Sequence, residues 1–245
     1  MRYLIGIDDT DNLESRGTGH RARMLGLQLD ENGICRLHSI TRHQLFVSPL
    51  IPYTSHNSSA CLMVSDVGNK QQLIDYCRRF LLSESAEGSD AGLCIAAYDL
   101  IHDDIVNWGN QAKTVVLKME DAIEIAQKND VYLEGLTGTR CGIIGSLAAV
   151  GLRKEGNDGR LLWMRHLRET QGIFTIDQIL ALIKIESVVD MEGFPVPPNA
   201  IVTLSDWSRP VMMNNKITLI LQKYSSNEET YYTCASKEYI KHISG

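Results

Sequence analysis

The sequence lacks several things that would have named a function at once. None of its six cysteines forms a Cys-x-x-Cys pair, and several sit inside apolar runs such as Ala60-Cys61-Leu62-Met63-Val64. That pattern fits buried thiols in a reducing cytosol better than a disulfide framework or a zinc site. The histidines His38, His43, His102, His166 and His242 show no metal-ligand spacing. No hydrophobic run reaches membrane-spanning length, and the start Met1-Arg2-Tyr3-Leu4-Ile5-Gly6-Ile7 is too short for a secretory segment. A soluble, cytoplasmic chain with no membrane partner is expected. Positive charge is also short: 24 Lys and Arg stand against 30 Asp and Glu, a formal net charge of -6. Nucleic-acid contact would therefore need a local basic patch. No internal repeat and no low-complexity segment is present.

What is there is a chain of 245 residues, long enough for one large domain or two small ones. Tyr3 to Asp8 reads as a buried strand that runs into carboxylates. A turn-rich stretch follows, then a helix from about His20 to Glu31 with Ala22, Met24, Leu27 and Leu29 on its apolar face and Gly33 as its stop. Arg36 to Val47 reads as a strand that Pro49 and Pro52 break. Strands at 59–64, 92–97, 114–118 and 131–133, with helices at 70–82 and 120–128, give a β-α-β-β-α-β order, that of a ferredoxin-like unit. A glycine-rich loop and a helix at 142–152 come next. The rest reads as a strand at 161–164, a helix at 176–183 and short strands at 201–204, 216–222 and 230–234. The fold class expected is α/β (α+β).

The sharpest chemical feature is Asp8-Asp9-Thr10-Asp11 at the end of the first strand. A turn there would let two or three carboxylates converge, and hard oxygen ligands at a strand end suit Mg²⁺ bridging to nucleotide phosphates. The alternative is a solvated acidic turn. The second feature is the run from Gly135 to Ser146, in which Gly138, Gly142 and Gly145 precede and open a helix. Backbone N–H groups at such a helix start attract anions, and Arg140 offers a fork of donors to a phosphate. The run is neither a Walker A sequence nor a dinucleotide fingerprint, so the glycines equally permit close helix packing. His20, close to the acids, is a candidate base or phosphate donor, or an exposed helix-start histidine. Thr18 is a candidate helix cap or phosphoacceptor. Asn57 stands in a polar stretch and reads as a turn residue as readily as a binding one.

Taken together, Ile5-Gly6-Ile7-Asp8-Asp9-Thr10-Asp11, Pro49-Leu50-Ile51-Pro52-Tyr53-Thr54 with Asn57, and Arg140 to Gly151 resemble the catalytic core of the archaeal synthetases that make 2-agmatinylcytidine in an isoleucine tRNA. The resemblance spans about Ile5 to about Val211. It implies a kinase-like α/β module over 1–57 and 136–200, a ferredoxin-like module over 58–135 and a β-rich segment over 201–245. It also implies ATP and Mg²⁺ as cofactors. Asp8, Asp9 and Asp11 are the implied metal and phosphate ligands, and the Arg140–Gly145 loop is implied in the nucleotide site, with Thr10, Thr18, Gly138 and Asn57 beside it. In that family the C2 oxygen of a wobble cytidine is phosphorylated and agmatine displaces the phosphate.

The departures bear on the substrate. Where family members carry a Thr-Thr pair with an autophosphorylated threonine, this chain has His20-Arg21, with Thr18 two residues earlier. The family's Thr-Arg-Gly-Asn-Gly is Thr54-Ser55-His56-Asn57-Ser58. The chain stops where family members continue into an OB-fold and a zinc ribbon that grip tRNA. The expectation is an ATP-dependent phosphotransferase or synthetase whose acceptor, small molecule or RNA, is left open. The rival expectations are a non-catalytic nucleotide- or metabolite-binding accessory protein and an RNA-binding subunit. A two-fold homodimer is the base expectation for assembly.

Overall fold

A computed structural model describes residues 1–51, 56–226 and 229–244. Pro52, Tyr53, Thr54 and Ser55, on which part of the second resembling stretch falls, lie outside the described residues. The chain divides into two compact units, Met1–Glu155 and Gly156–Gly245.

The first unit is built on five strands. β1 (Tyr3–Asp8) leads to α1 (Thr18–Glu31), β2 (Arg36–Gln44), β3 (Ser58–Ser65), α2 (Lys70–Glu84) and β4 (Gly92–Ala97). A 3₁₀ turn at Tyr98–Leu100 precedes α3 (Asp103–Gln111), α4 (Met119–Lys128), β5 (Tyr132–Gly135) and α5 (Ile143–Glu155). The strands lie in the order β5-β4-β1-β3-β2 with every neighbouring pair antiparallel. A β-α-β-β-α-β order is therefore present, but it starts at β1 and not at Ser59. The expected strand at 114–118 is the reason for the shift. After α3 the N–H groups of Lys113, Thr114 and Val115 bond back to Asn110 and Gln111 carbonyls, so this stretch stays in turns and pairs with no strand among the described residues. Strands β3, β4 and β5 also bond into the same sheet as β1 and β2, which does not set 58–135 apart as a module.

Alternation along β1 sends Ile5 and Ile7 to one face and Leu4, Gly6 and Asp8 to the other. On the second face α5 covers β1, β3 and β4, and α3 packs on α5. Leu4, Cys61, Cys94, Trp108, Leu147 and Val150 are buried together there. α5 comes unusually close to the sheet. A Cβ on Gly6 would stand 2.0 Å from the Ser146 carbonyl oxygen, and one on Gly92 would stand 2.1 Å from the Gly142 carbonyl carbon. α1 packs on β2 and β3 with Ala22, Leu25, Gly26 and Leu29 buried, and it starts at Thr18, two residues before the expected helix. Leu27, expected inward, is 37% exposed, because the contact is centred on Gly26, which meets Leu37 and Leu62.

The second unit runs β6 (Arg160–Met164), β7 (Gly172–Thr175), α6 (Ile176–Leu182), β8 (Ser187–Asp190) and β9 (Ile201–Leu204). β10 (Val211–Met213), β11 (Lys216–Ser226), β12 (Glu229–Cys234) and α7 (Lys237–Ile243) complete it. Its strands lie in the order β6-β10-β11-β12-β9-β7, with β8 parallel to β11. Asn214 and Asn215 close the β10–β11 hairpin, both at positive φ, as two-residue primed turns require. α6 begins with a capping box between Thr175 and Gln178. Leu161, Ile179, Val188, Val202, Leu219 and Leu221 fill the core. Pairing of β8 with β11 and of β7 with β9 crosses residue 200, so the segment expected to begin at Ile201 is part of this larger unit. No described helix is long and apolar enough to cross a membrane.

Candidate functional site

β1, paired on both sides, delivers Asp8 to its C-terminal end, and the chain then turns through Asp9 at φ 49°, so the alternation of the strand ends there. As a result Asp8, Asp9 and Asp11 all line one cavity of about 230 Å³. Gly142 and Gly145 form its floor. A Cβ on Gly145 would stand 1.8 Å from Asp8 Oδ2, so the glycine is what lets the helix start lie against the carboxylate. Much of the rest of the lining is apolar and includes Leu45, Ile51, Val115, Val116, Leu117 and Ile144. Val115 and Val116 are 46% and 45% exposed, which leaves apolar surface facing the opening. A pocket with a largely apolar wall and a few convergent polar groups has the usual make-up of a small-molecule site.

The acids raise one another. Burial first, then the charge of Asp9 and more weakly that of Asp11, push the Asp8 carboxyl up to about 8, against a hydrogen bond from the Asp9 backbone. Burial, Asp90 and Asp11 push Asp9 up to about 6, with the Cys141 thiol working against them. The loop from Thr137 to Gly142 brings Cys141 in. Gly142 N–H donates to the Asp90 carbonyl at 3.0 Å, and the Thr137 hydroxyl donates to the Ser89 carbonyl at 2.7 Å. Cys141 Sγ then sits 3.5 Å from Asp90 Oδ2 and 3.9 Å from Asp9 Oδ2. One ligand atom from each of Asp9, Asp90 and Cys141 falls within 4.8 Å of the others. Burial pushes the Cys141 thiol up to about 11, with Asp90 and Asp9 adding to the rise, so it stays a protonated donor. The donors that remain are carboxylate oxygens, a set that fits a hard divalent cation.

Thr18 is committed elsewhere in this cluster. Its hydroxyl donates to Asp11 Oδ1 at 2.7 Å and accepts from the Thr10 N–H at 3.2 Å and the Thr10 hydroxyl at 3.1 Å. Its N–H also donates to Asp11 Oδ1, at 3.2 Å. Asp11 thus caps α1, a helix whose own N-cap residue, Gly17, has no side chain for the task. Thr10 is fully buried beneath this arrangement and does not line the cavity. Asn57 lines the cavity and braces it by donating from Nδ2 to the Phe46 carbonyl at 2.6 Å.

Besides Thr10, three candidates fall outside. Arg140, at φ 69° and exposed, faces a separate groove with Arg78 and Glu134. Gly138 sits at φ 50° against Asp90, with a built Cβ 2.0 Å from Asp90 Oδ1, and shapes the loop without touching the cavity. His20 lines a second, adjoining cavity with Arg23 and Arg42. Sequence reading missed Asp90, His56 and the 115–117 wall as site residues, and held Cys141 only as part of the Arg140–Gly145 loop. Only Cys141 had a local signal, its place inside the glycine run; Asp90 is 51 residues away from it and arrives through the β4 pairing.

No family profile matches the chain. TiaS of Saccharolobus islandicus, a 2-agmatinylcytidine synthetase of an isoleucine tRNA, is 29% identical over 163 residues, 62% of this chain and 36% of that protein. An uncharacterized protein of Methanocaldococcus jannaschii is 29% identical over 153 residues, 62% of this chain and 50% of that protein. The chain thus spans between about a third and a half of the curated relatives it matches. Among solved structures, apo TiaS superposes with a TM-score of 0.54 at 23% identity over 62% of this chain and 35% of that one. The complex of TiaS with its isoleucine tRNA, AMPCPP and agmatine gives 0.53 at 23% identity, over 62% and 36%. The complex with the same tRNA and ATP gives 0.51 at 24% identity, again over 62% and 36%. These likenesses fix the fold. Over 62% of its length the chain shares the fold of about a third of TiaS.

Proposed function

We propose that the acid-lined cavity binds ATP with Mg²⁺ and that the chain is an ATP-dependent phosphotransferase or synthetase. The observation that carries this reading is the convergence of Asp8, Asp9 and Asp11 in a cavity whose remaining lining is largely apolar. A nucleotide has the same two-sided chemistry, a flat base and a charged phosphate chain. Asp8 and Asp9 would hold the cation with Asp90 beside them, and the cation when bound neutralises phosphate charge. Gly142 and Gly145, which have no side chain to push Asp8 or the Asp90–Gly92 backbone away, keep the start of α5 beside the acids, and Leu45, Val116 and Leu117 would face the base. Support also comes from relatives solved with ATP, with AMPCPP and with agmatine and tRNA. The acceptor on this chain is a separate question.

The test is calorimetric titration of the full chain with ATP, with and without Mg²⁺, beside Asp9→Asn. Mg²⁺-dependent binding that weakens at least about a hundredfold in the variant is expected, since a carboxylate is lost from the cation's shell. Equal affinity in both proteins would refute the assignment. One observation favours a second reading, a nucleotide-binding protein without transfer: the Thr18 hydroxyl is already engaged by Thr10 and Asp11. ATP binding with no ADP formed in the presence of amine, nucleoside and tRNA acceptors would select it.

A further inference from the structure

The second cavity, about 220 Å³, adjoins the first and shares Asp11, Thr18, His56 and Ser58 with it. Its own lining is of the opposite kind. His20 and Arg23 come from the first two turns of α1 and Arg42 from β2, with the hydroxyl residues Ser58 and Ser59 from β3. Four basic side chains, His20, Arg23, Arg42 and His56, thus face one acidic group, Asp11, whose Oδ1 is already occupied by Thr18. Gly17, Thr18 and Gly19 place the start of α1, the positive end of a 14-residue helix with no acidic residue in its first turn, at the same spot.

The geometry points to this cavity as a binding site for the oxyanion, phosphate or carboxylate, of a small second substrate, seated beside the nucleotide and distinct from it. The cations of the lining are Arg23 and Arg42, while burial and then Arg16, Arg23 and Arg21 hold His20 below its ordinary pKa, so its imidazole serves as a neutral hydrogen-bonding group beside them. Arginine forks and a helix start are the groups that commonly bind an oxyanion. A cationic amine would meet only Asp11 as a counter-charge in this lining. The inference leans on the nucleotide reading only in calling this substrate the second one; the anion site itself does not require ATP.

The test uses the full-length chain at low ionic strength. Inorganic phosphate and malonate are titrated separately by calorimetry, each with and without saturating Mg²⁺ and a non-hydrolysable ATP analogue. One or both anions should bind, with affinity retained when the analogue is present. Arg23→Gln and Arg42→Gln should each weaken the anion about tenfold or more, while Arg36→Gln, on exposed β2 surface away from the cavity, should not. Far-UV circular dichroism checks that each variant is folded. If one of the two fails to fold, the other and the competition measurement still decide. Absence of binding by both anions, displacement by the analogue, or unchanged affinity in folded Arg23→Gln or Arg42→Gln would overturn the proposal. Displacement would give the cavity to the nucleotide's own phosphates. Failure of the analogue to bind at all, with anion binding intact, would sink the nucleotide reading and leave the anion site standing.

Discussion

Two cavities share the residues Asp11 and Thr18, and they are opposite in character. One is acidic and half apolar; the other is basic and lined by hydroxyls. The chain achieves this over a short distance because β1 and α1 are joined by a tight stretch in which Asp11, Thr10 and Thr18 bond to one another. That knot keeps the carboxylates of β1 from falling onto the arginines of α1 and β2. The lesson is that the sign of each cavity is set by which element ends there: a strand end carries the acids, a helix start carries the cations. In the proposed reading, each cavity holds the partner whose charge the other would repel.

The comparison can be broken at four places. The largest effect is expected from Gly145→Val, which drives a side chain into Asp8. Mg²⁺-dependent ATP binding should vanish and stability should fall by about 1–3 kcal/mol, while phosphate binding in the basic cavity survives. Loss of both activities in a folded variant would mean that the cavities are not independent. Val116→Asp places a charge on the apolar wall. ATP affinity should drop about tenfold, a little over 1 kcal/mol, with tripolyphosphate affinity unchanged; equal weakening of both would move the base elsewhere.

A smaller effect concerns pH. Folded Asp8 keeps its proton up to about 8, whereas an unfolded aspartate releases it near about 4. Between those values the folded chain binds more protons, so metal-free stability is highest at the acid end and declines as pH rises towards 8. Melting temperature should therefore fall between pH 5 and 8 by about several degrees, and Asp8→Asn should flatten that slope. A slope equal to wild type in the variant would place the titration on another group. The smallest effect belongs to Arg140→Ala, which lies outside both cavities and should change ATP affinity by less than about twofold. A hundredfold loss would bring the arginine into the site and require the loop to move on binding.

Much of this was legible in the sequence, for local reasons. An apolar run ending in three acids can hardly avoid placing those acids at a strand end, and β1 does so. The glycine run before an apolar helix admits two readings, a phosphate cradle and a packing device. The structure shows the packing outright, and the packing is what puts Gly145 beside Asp8. The fold was harder wherever side chains gave a strand signal without a partner. Val115, Val116 and Leu117 have the composition of a strand, yet among the described residues no neighbouring edge takes them. Counting them as one moves the start of the β-α-β-β-α-β order from β1 to β3. Asp90, His56 and Arg42 carried no signal because they become neighbours of α1 and β1 only through pairings across the sheet.

Cys141 has a consequence for how the site can be watched. It is half-buried, not sealed, and it sits against two of the acids. A thiol this close to an opening would ordinarily be the residue that oxidants and alkylating reagents find first, but reaction requires the thiolate. With its pKa held up to about 11, it stays protonated and slow at neutral pH. Part of that protection is the negative charge of Asp90 and Asp9. Anything that neutralises those carboxylates therefore loosens the hold on the thiol's proton. The labelling rate of one cysteine becomes a spectroscopically silent site's own reporter of what has entered it.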